Sequence, residues 1–152
     1  MKIHNESIVS YETAKLLKEA GFNDTCRAFW KVWNGKINLY NCDKGQCFDY
    51  CCNNMLEMYN DSSEENVAAP TLQMAMKWLR EVHDLHIMVN CIGKVNYDPI
   101  VQRFDGKDFE IEGVEVGTTR RINGKWENVR RGFKTYEEAC EAAIKYCLEI
   151  LI

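Results

Sequence analysis

A basic stretch near the C-terminus carries the side chains best suited to hold an anion. Guanidinium groups form paired hydrogen bonds to phosphate or carboxylate, and an indole ring can stack on a base. We therefore predict a site for a small anionic, nucleotide-like ligand made by Arg120, Arg121, Trp126, Arg130 and Arg131. The alternative interpretation is a solvated hairpin whose charged side chains point outward and need no ligand.

Four of the eight cysteines form a cluster, Cys42, Cys47, Cys51 and Cys52. Clustered thiolates are the usual ligands of zinc, but this spacing lacks the Cys-x2-Cys knuckle that orients two thiolates on one ion. If the chain binds zinc, we expect Cys42, Cys47 and Cys51 to act with His83 or His86. We favour reduced, partly buried thiols and predict neither a metal nor any other cofactor.

His83 and His86 lie where a predicted helix gives way to a predicted strand. With Glu81 or Asp84 as a third ligand they could hold a metal ion. Their spacing is not the H-E-x-x-H arrangement that places two imidazoles on one helical face. A histidine near a helix C-terminus is explained more simply by its favourable interaction with the helix dipole.

Motifs for catalysis are missing from the sequence. We find no G-x-S-x-G nucleophile elbow, no phosphate-binding G-x-x-x-x-G-K-[ST] loop and no dinucleotide-binding fingerprint. The many carboxylates are scattered over predicted helix surfaces, where solvated side chains are expected. We predict that the protein is not an enzyme.

Composition narrows the class of protein. The chain has 152 residues, of which 46% are hydrophobic and 28% charged, so it can bury a substantial core without disulfides. A net charge of −4 argues against broad binding to nucleic acid or to anionic membranes. The first residues lack the apolar run of a signal peptide, and no stretch is long and apolar enough to cross a bilayer. We therefore expect a cytoplasmic protein.

The N-terminal half contains signals for one helix and one hairpin. Ser10 is a favourable N-cap for a helix over 10–20, and Gly21 followed by Phe22 is a stop signal. Asn34-Gly35, typical of a two-residue hairpin turn, separates two predicted strands, 26–33 and 36–41. We interpret 43–54 as a loop with one short strand at most, and the acidic residues 60–66 as a flexible connector.

The C-terminal half reads as a helix, several strands and a final helix. Pro70-Thr71 opens the first of these helices, which runs to about residue 83. Because proline cannot donate to a strand ladder, we begin one strand only after Pro99. The predicted strands are 85–91, 100–104, 109–116 and 126–130. Thr135 and Glu138 form a capping box at the start of the final helix.

These elements predict the α+β class, with helices packed on one face of an antiparallel sheet. The expected order is α-β-β-(loop)-α-β-β-β(-β)-α. We predict a single domain, 1–152. The alternative is a subdivision into 1–59 and 70–152 around an acidic linker, 60–69.

The order of elements in the C-terminal half, ending in a helix with Ala139, Ala142 and Ala143, resembles a double-stranded RNA-binding domain. In that family, lysines at the start of the final helix bind phosphates. This chain has Tyr136, Glu137 and Glu138 there, and carboxylates repel phosphates. We therefore expect no binding of double-stranded RNA.

Four segments of the chain resemble parts of small proteins from phages and prophages of gut Bacteroidales. The matching segments are 10–22, with the sequence SYETAKLLKEAGF, then 69–72 and 77–83, and finally 135–139 with the sequence TYEEA. The resemblance brings no activity and no functional residues to this chain. It implies a setting, the cytosol of a bacterial host during infection or lysogeny.

The sequence thus favours a non-enzymatic binding protein of phage type. We expect it to act on a host protein, such as a defence protein, or to sequester a nucleotide-like anion. One alternative is a structural or protein-interaction module that forms a homo-oligomer through an exposed sheet edge or helix face. Another is a small zinc-binding protein.

Overall fold

The structure is a computed structural model. It describes residues 7–41, 51–91, 96–103, 105–110, 114–115, 119–122, 125–128 and 131–152, and between 110 and 131 it describes the backbone alone.

The described residues form helices and antiparallel strands, which confirms the α+β class. The helices are α1 (Tyr11–Glu19), α2 (Asn53–Glu57), α3 (Leu72–His83) and α4 (Tyr136–Tyr146), and α4 continues into a π-helical turn (Cys147–Leu151). The strands are β1 (Ala28–Trp33), β2 (Lys36–Asn41), β3 (Glu64–Ala68), β4 (Leu85–Cys91), β5 (Tyr97–Arg103), β6 (Asp108–Glu110), β7 (Val114–Glu115), β8 (Thr119–Ile122), β9 (Lys125–Asn128) and β10 (Arg131–Gly132).

The backbone divides into two compact units, Met1–Trp78 with Ile152, and Leu79–Leu151. The boundary falls inside α3. The number of independently folding domains stays a prediction.

Both ends of α1 confirm the sequence signals. The Ser10 hydroxyl accepts a hydrogen bond from the backbone N–H of Thr13 at 3.2 Å, satisfying one of the donors that a helix start leaves without a partner. At the other end Gly21 adopts a φ of 98°, and the Phe22 N–H donates to the Leu17 carbonyl at 2.9 Å. The Gly21 N–H donates to Lys18, so the two bonds form a Schellman motif that directs the chain back towards the helix.

The first unit is built on a three-stranded antiparallel sheet in the order β2-β1-β3. Helices α1 and α2 both contact β3. The core of the unit is made of buried apolar side chains, which are Val9, Ala14, Leu17, Phe22, Cys26, Ala28, Phe29, Cys51, Leu56, Val67, Ala68, Ala69, Leu72, Ala75 and Trp78.

The second unit contains another three-stranded antiparallel sheet, in the order β4-β5-β6. Helix α4 packs on β4 and β5, and its buried face is Ala139, Cys140, Ala143 and Ile144, followed by Cys147. The Thr135 hydroxyl accepts a hydrogen bond from the Glu138 N–H at 3.1 Å, which confirms Thr135 as the N-cap of α4. Ladders of two residues and four residues form two smaller sheets, β10-β7 and β8-β9.

Pro99 lies inside β5, so the prediction that a strand begins only after it is wrong. The backbone of Tyr97 exchanges hydrogen bonds with Phe133, and Arg103 donates to Lys107, so odd-numbered residues of β5 face the β6 edge. The β5–β6 register begins at Ile100. Pro99 therefore directs its nitrogen beyond the end of the described β6 ladder, so its missing N–H leaves that ladder intact.

The structure corrects three further predictions. The prediction of a single sheet is wrong, because the described strands form two separate three-stranded sheets and two smaller two-stranded ones. The flexible connector over 60–66 is also wrong. Its second half enters β3, and the Asp61 carboxylate accepts from the N–H groups of Ser63 and Glu64 in a local turn. Helix α2 replaces the end of the predicted loop over 43–54.

Candidate functional site

The β1–β2 hairpin is the most regular feature of the first unit. Asn34 and Gly35 both adopt positive φ, 51° and 71°, as a type I′ turn requires. This turn matches the twist of the strands, and six consecutive residue pairs follow without a bulge, from Trp33↔Lys36 to Ala28↔Asn41. The sequence predicted this hairpin.

The outer strand β2 directs alternate backbone groups away from the sheet. The Ala28 carbonyl accepts from Ala69 on the β3 side at 3.0 Å, so even-numbered residues of β1 bond towards β3 and odd-numbered ones towards β2. Trp33, Lys31 and Phe29 then exchange bonds with the even-numbered residues of β2. Ile37 and Leu39 therefore direct their N–H and C=O groups to the outer edge of β2, where no described strand pairs with them.

Four apolar side chains on one sheet face lie beside this edge, and we call them the edge strip: Trp30, Val32, Ile37 and Leu39. The register places Trp30 opposite Leu39 and Val32 opposite Ile37. Trp30 and Val32 are half-buried, whereas Leu39 is 40% exposed and Ile37 is 49% exposed. The strip is thus a continuous apolar surface beside a strand edge.

Helix α1 explains why the same face is covered at one side and open at the other. Val67, the β3 neighbour of Trp30, is fully buried, and the Trp30 indole donates to the Val9 carbonyl at 3.1 Å. The Tyr11 hydroxyl donates to Glu65 at 2.7 Å, and burial together with the bond to that carboxylate raises the pKa of Tyr11 to about 12. Helix α1 therefore covers this face of the sheet mainly at β3 and leaves it exposed at β2.

The opposite face of the hairpin is more polar. Phe29 stacks on Tyr40 with ring centroids 5.4 Å apart, and the Lys31 ammonium lies 5.8 Å from the Tyr40 ring. Lys31 also pairs with Glu64 at 2.9 Å, and the hydrogen bond from Lys31 is the largest of the effects that lower the pKa of Glu64. These residues contact one another, so this face is less suited to a partner.

The predicted anion site falls on strands whose backbone alone is described. β8 and β9 form a two-stranded antiparallel ribbon in which Arg121 pairs with Trp126, and Arg120 with Glu127. Arg131 lies in β10 opposite Glu115, and Arg130 lies outside the described residues. The fold brings Arg120, Arg121 and Trp126 to one ribbon and places Arg131 on a different ladder.

The cysteine cluster is described only in part. Cys42 and Cys47 lie outside the described residues, while Cys51 is buried and Cys52 half-buried. Cys51 forms an antiparallel bridge with Cys26, a residue that we did not predict as part of any cluster. A signal for that pairing was not available, because the partners are 25 positions apart and joined by no motif.

The two histidines lie in different elements. His83 is the last residue of α3, and the exposed His86 of β4 has its Nε2 atom 3.4 Å from the Asp84 carboxylate. Among the residues that the structure describes, no three Cys, His, Asp or Glu side chains come together as a metal-binding group.

A polar cleft of about 220 Å³ lies between the end of α1 and the start of α2. Asn53 donates to the Phe22 carbonyl at 2.7 Å and accepts from the Ala68 N–H at 3.0 Å, and Lys18 pairs with Glu57 at 2.6 Å. The cleft is smaller than typical ligand pockets of about 300–1,000 Å³, and these polar groups already bond within the protein. We therefore interpret these polar contacts as structural, because they hold α2 against the end of α1 and against β3.

Comparisons with protein-family models, with curated proteins and with solved structures find no match for this chain. Within the part of the chain that the structure describes, no helix is long and apolar enough to span a membrane.

Proposed function

We propose that this chain is a non-enzymatic binding protein that recognises a second copy of itself through the β2 edge and the edge strip. The observation that carries the proposal is an edge strand that pairs with no other described strand on its outer side, beside exposed Ile37 and Leu39. Folded proteins usually protect such edges with charges, prolines or bulges, because an open edge templates strand pairing. β2 has one charged residue, Lys36, at its turn end, and neither a proline nor a bulge.

The strand is complementary to itself. In a two-fold antiparallel pair centred on Asn38, Ile37 lies opposite Leu39 of the partner copy, and Lys36 opposite Tyr40. Both members of the Ile37–Leu39 pairs direct backbone groups outward, so each pair exchanges two hydrogen bonds, as this register requires. The apolar pairs fall on the edge-strip face, and no like charges meet, which makes a second copy the occupant that this surface fits.

The expected affinity is modest. Ile37 and Leu39 are 49% and 40% exposed, so complete burial of each side chain would add roughly 1 kcal/mol, or about 4 kcal/mol for the two copies. Four new backbone hydrogen bonds add about 0.5–1.5 kcal/mol each. Association costs roughly 4–15 kcal/mol, which leaves about 6 kcal/mol at most, so we expect a weak dimer with a dissociation constant of tens of micromolar to millimolar.

Sedimentation equilibrium over about 5 μM to 1 mM protein tests this proposal. We expect the mean mass to rise with concentration from 17.7 kDa towards that of a dimer. Leu39→Lys introduces a charge at the edge and should keep the protein monomeric. Val82→Lys is the matched control, because Val82 is 59% exposed on α3 and its replacement changes the net charge equally.

Two results would contradict dimerisation through β2. One is a wild-type protein that stays monomeric over the whole concentration range. The other is a Leu39→Lys variant that associates as the wild type does.

The β8–β9 ribbon favours a second candidate function, sequestration of a nucleotide-like anion in the cytosol of a bacterial host. Its register pairs Arg121 with Trp126, so a phosphate-binding group and a stacking ring occupy facing positions of one ladder. A ligand that binds only the native state raises the melting temperature. We expect such a rise with at least one member of a panel of mononucleotides and cyclic nucleotides, and its loss in Arg121→Glu. Lys107→Glu, a charge change at an exposed turn, should retain it.

A further inference from the structure

We infer that Cys26 and Cys51 are a disulfide-forming pair, a redox-sensitive clamp across the base of the β1–β2 hairpin. The two residues face each other in an antiparallel bridge. The Cys26 N–H donates to the Cys51 carbonyl at 2.8 Å, and the Cys51 N–H donates back at 3.3 Å. The bridge lies just before β1 and just before α2, so a bond there would close a loop that contains the whole hairpin.

Backbone geometry places the two Cα atoms at a separation that disulfides adopt. Antiparallel residues that exchange both hydrogen bonds have Cα atoms about 5.5 Å apart, inside the 4.4–6.8 Å range of disulfides. Their Cβ atoms are about 5.5 Å apart, so the bond requires the two segments to approach by roughly 1 Å. Directly opposed residues also project their side chains to the same face of the pair. The side chains are buried together, with Cys26 1% exposed and Cys51 fully buried. The structure holds both as thiols.

The surroundings make this pair slow to react rather than unreactive. Burial, followed by the neighbouring Cys51 thiol, raises the pKa of Cys26 to about 12, and burial also raises the pKa of Cys51. The thiolate is the nucleophile in disulfide exchange, so little of either thiol is reactive at neutral pH. The Cys26–Cys51 disulfide would therefore form under sustained oxidation, whereas a brief exposure to an oxidant would leave both thiols reduced.

The oxidant that we propose is a small-molecule disulfide such as glutathione disulfide. One protein thiolate attacks it, forming a mixed disulfide and releasing one glutathione thiolate. The second protein thiolate attacks the protein sulfur of that mixed disulfide and displaces the second glutathione. Two protein thiols are thereby oxidised to one disulfide, one glutathione disulfide is reduced to two glutathione molecules, and the thiol protons pass to the released thiolates.

The test is incubation of the folded protein with glutathione disulfide, followed by alkylation and peptide mapping. We expect a Cys26–Cys51 linkage and a rise in melting temperature of roughly 5–10 °C, because the bond closes a loop in the unfolded chain. The rate of bond formation should keep rising about tenfold per pH unit between pH 7 and about pH 9, where an ordinary exposed thiol levels off near pH 8.5.

The same molecule contains an internal control. Cys140 and Cys147 are also buried, but they lie seven residues apart on one helical stretch, about 10 Å along its axis, which is too far to bridge. Cys52→Ala is the matched variant and should keep the linkage, whereas Cys26→Ala should abolish it.

Two results would overturn the inference. One is a folded, oxidised protein whose disulfides map to other pairs or that forms none. The other is a Cys26–Cys51 bond that appears only in denaturant and leaves the melting temperature unchanged. Mapping of the wild-type protein decides between these outcomes even where a cysteine variant fails to fold.

Discussion

Replacement of Asn53 by alanine should destabilise the first unit strongly, because one side chain serves two buried backbone groups. Its amide donates to the Phe22 carbonyl at 2.7 Å and accepts from the Ala68 N–H at 3.0 Å. Phe22 and Ala68 are 1% and 0% exposed, so both backbone groups lose their partner in a buried position. Each unsatisfied buried group costs about 1–3 kcal/mol, which gives an expected loss of roughly 2–6 kcal/mol in the free energy of unfolding.

Urea denaturation followed by tryptophan fluorescence measures this loss. We expect the midpoint to fall while the slope of free energy against urea stays unchanged, since the surface exposed on unfolding is the same. Asn54→Ala is the matched control, because Asn54 is the next residue of α2, its side chain is exposed, and it should lose less than about 0.5 kcal/mol. An Asn53→Ala variant within about 1 kcal/mol of the wild type would refute the accounting.

An Asn53→Asp variant separates the two hydrogen bonds. A carboxylate still accepts from Ala68 but repels the Phe22 carbonyl, so burial should raise its pKa in the folded protein above the unfolded value. The folded state then binds the proton more readily, and the penalty is full above the folded pKa and fades as pH falls through it. The deficit of Asn53→Asp should therefore shrink between pH 7 and about pH 4, while that of Asn53→Ala stays constant.

Three further substitutions test the fold. A Cβ added at Gly132 would overlap the buried Asn96 amide, so Gly132→Ala should lower the free energy of unfolding by about 1–3 kcal/mol. Adding Asn96→Ala to Gly132→Ala should recover part of that loss. An unchanged urea midpoint in Gly132→Ala would contradict this packing. Gly21→Ala, at a φ of +98°, should cost about 1 kcal/mol in the same urea assay. Tyr11→Phe removes the bond to Glu65 and should cost about 1 kcal/mol at pH 7. Because the pKa of Tyr11 is raised to about 12, the hydroxyl contributes fully to the free energy of unfolding below about pH 10 and loses this contribution as pH rises towards 12. The difference in that free energy between the wild type and Tyr11→Phe should therefore narrow above about pH 10. A difference that stays constant up to about pH 11 would argue against the bond.

Local signals predicted the elements whose cause lies within a few residues. Ser10 and Gly21 fixed the ends of α1, Asn34-Gly35 fixed the hairpin, and Thr135 fixed the start of α4. In each case a residue type at a set spacing binds a backbone N–H or C=O group or adopts the positive φ that the turn requires. These helix ends and the hairpin turn therefore form without any contact to a distant part of the chain.

The predictions that failed concerned segments whose structure depends on distant partners. Residues 60–66 are acidic and polar, but a strand forms there because β1 offers its second edge and Asn60 and Asp61 bond the local backbone. The segment that begins at Asn53 was predicted as a loop but forms a helix. The Asn53 side chain holds the start of this helix through hydrogen bonds to Phe22 and Ala68, which are distant in sequence. Polarity alone did not separate a solvated connector from a bonded edge strand.

The residues of this protein alone determine its class, its hairpin and its helix ends, because hydrogen bonds between neighbours in sequence create them. They also determine which side chains can bind anions or form disulfides. Tertiary structure decided which strand edge lies at the outside of the described sheet, which apolar side chains α1 leaves exposed, and that Cys26 meets Cys51. These features arise from contacts between segments tens of residues apart, where chain closure and mutual burial choose partners that no spacing rule encodes.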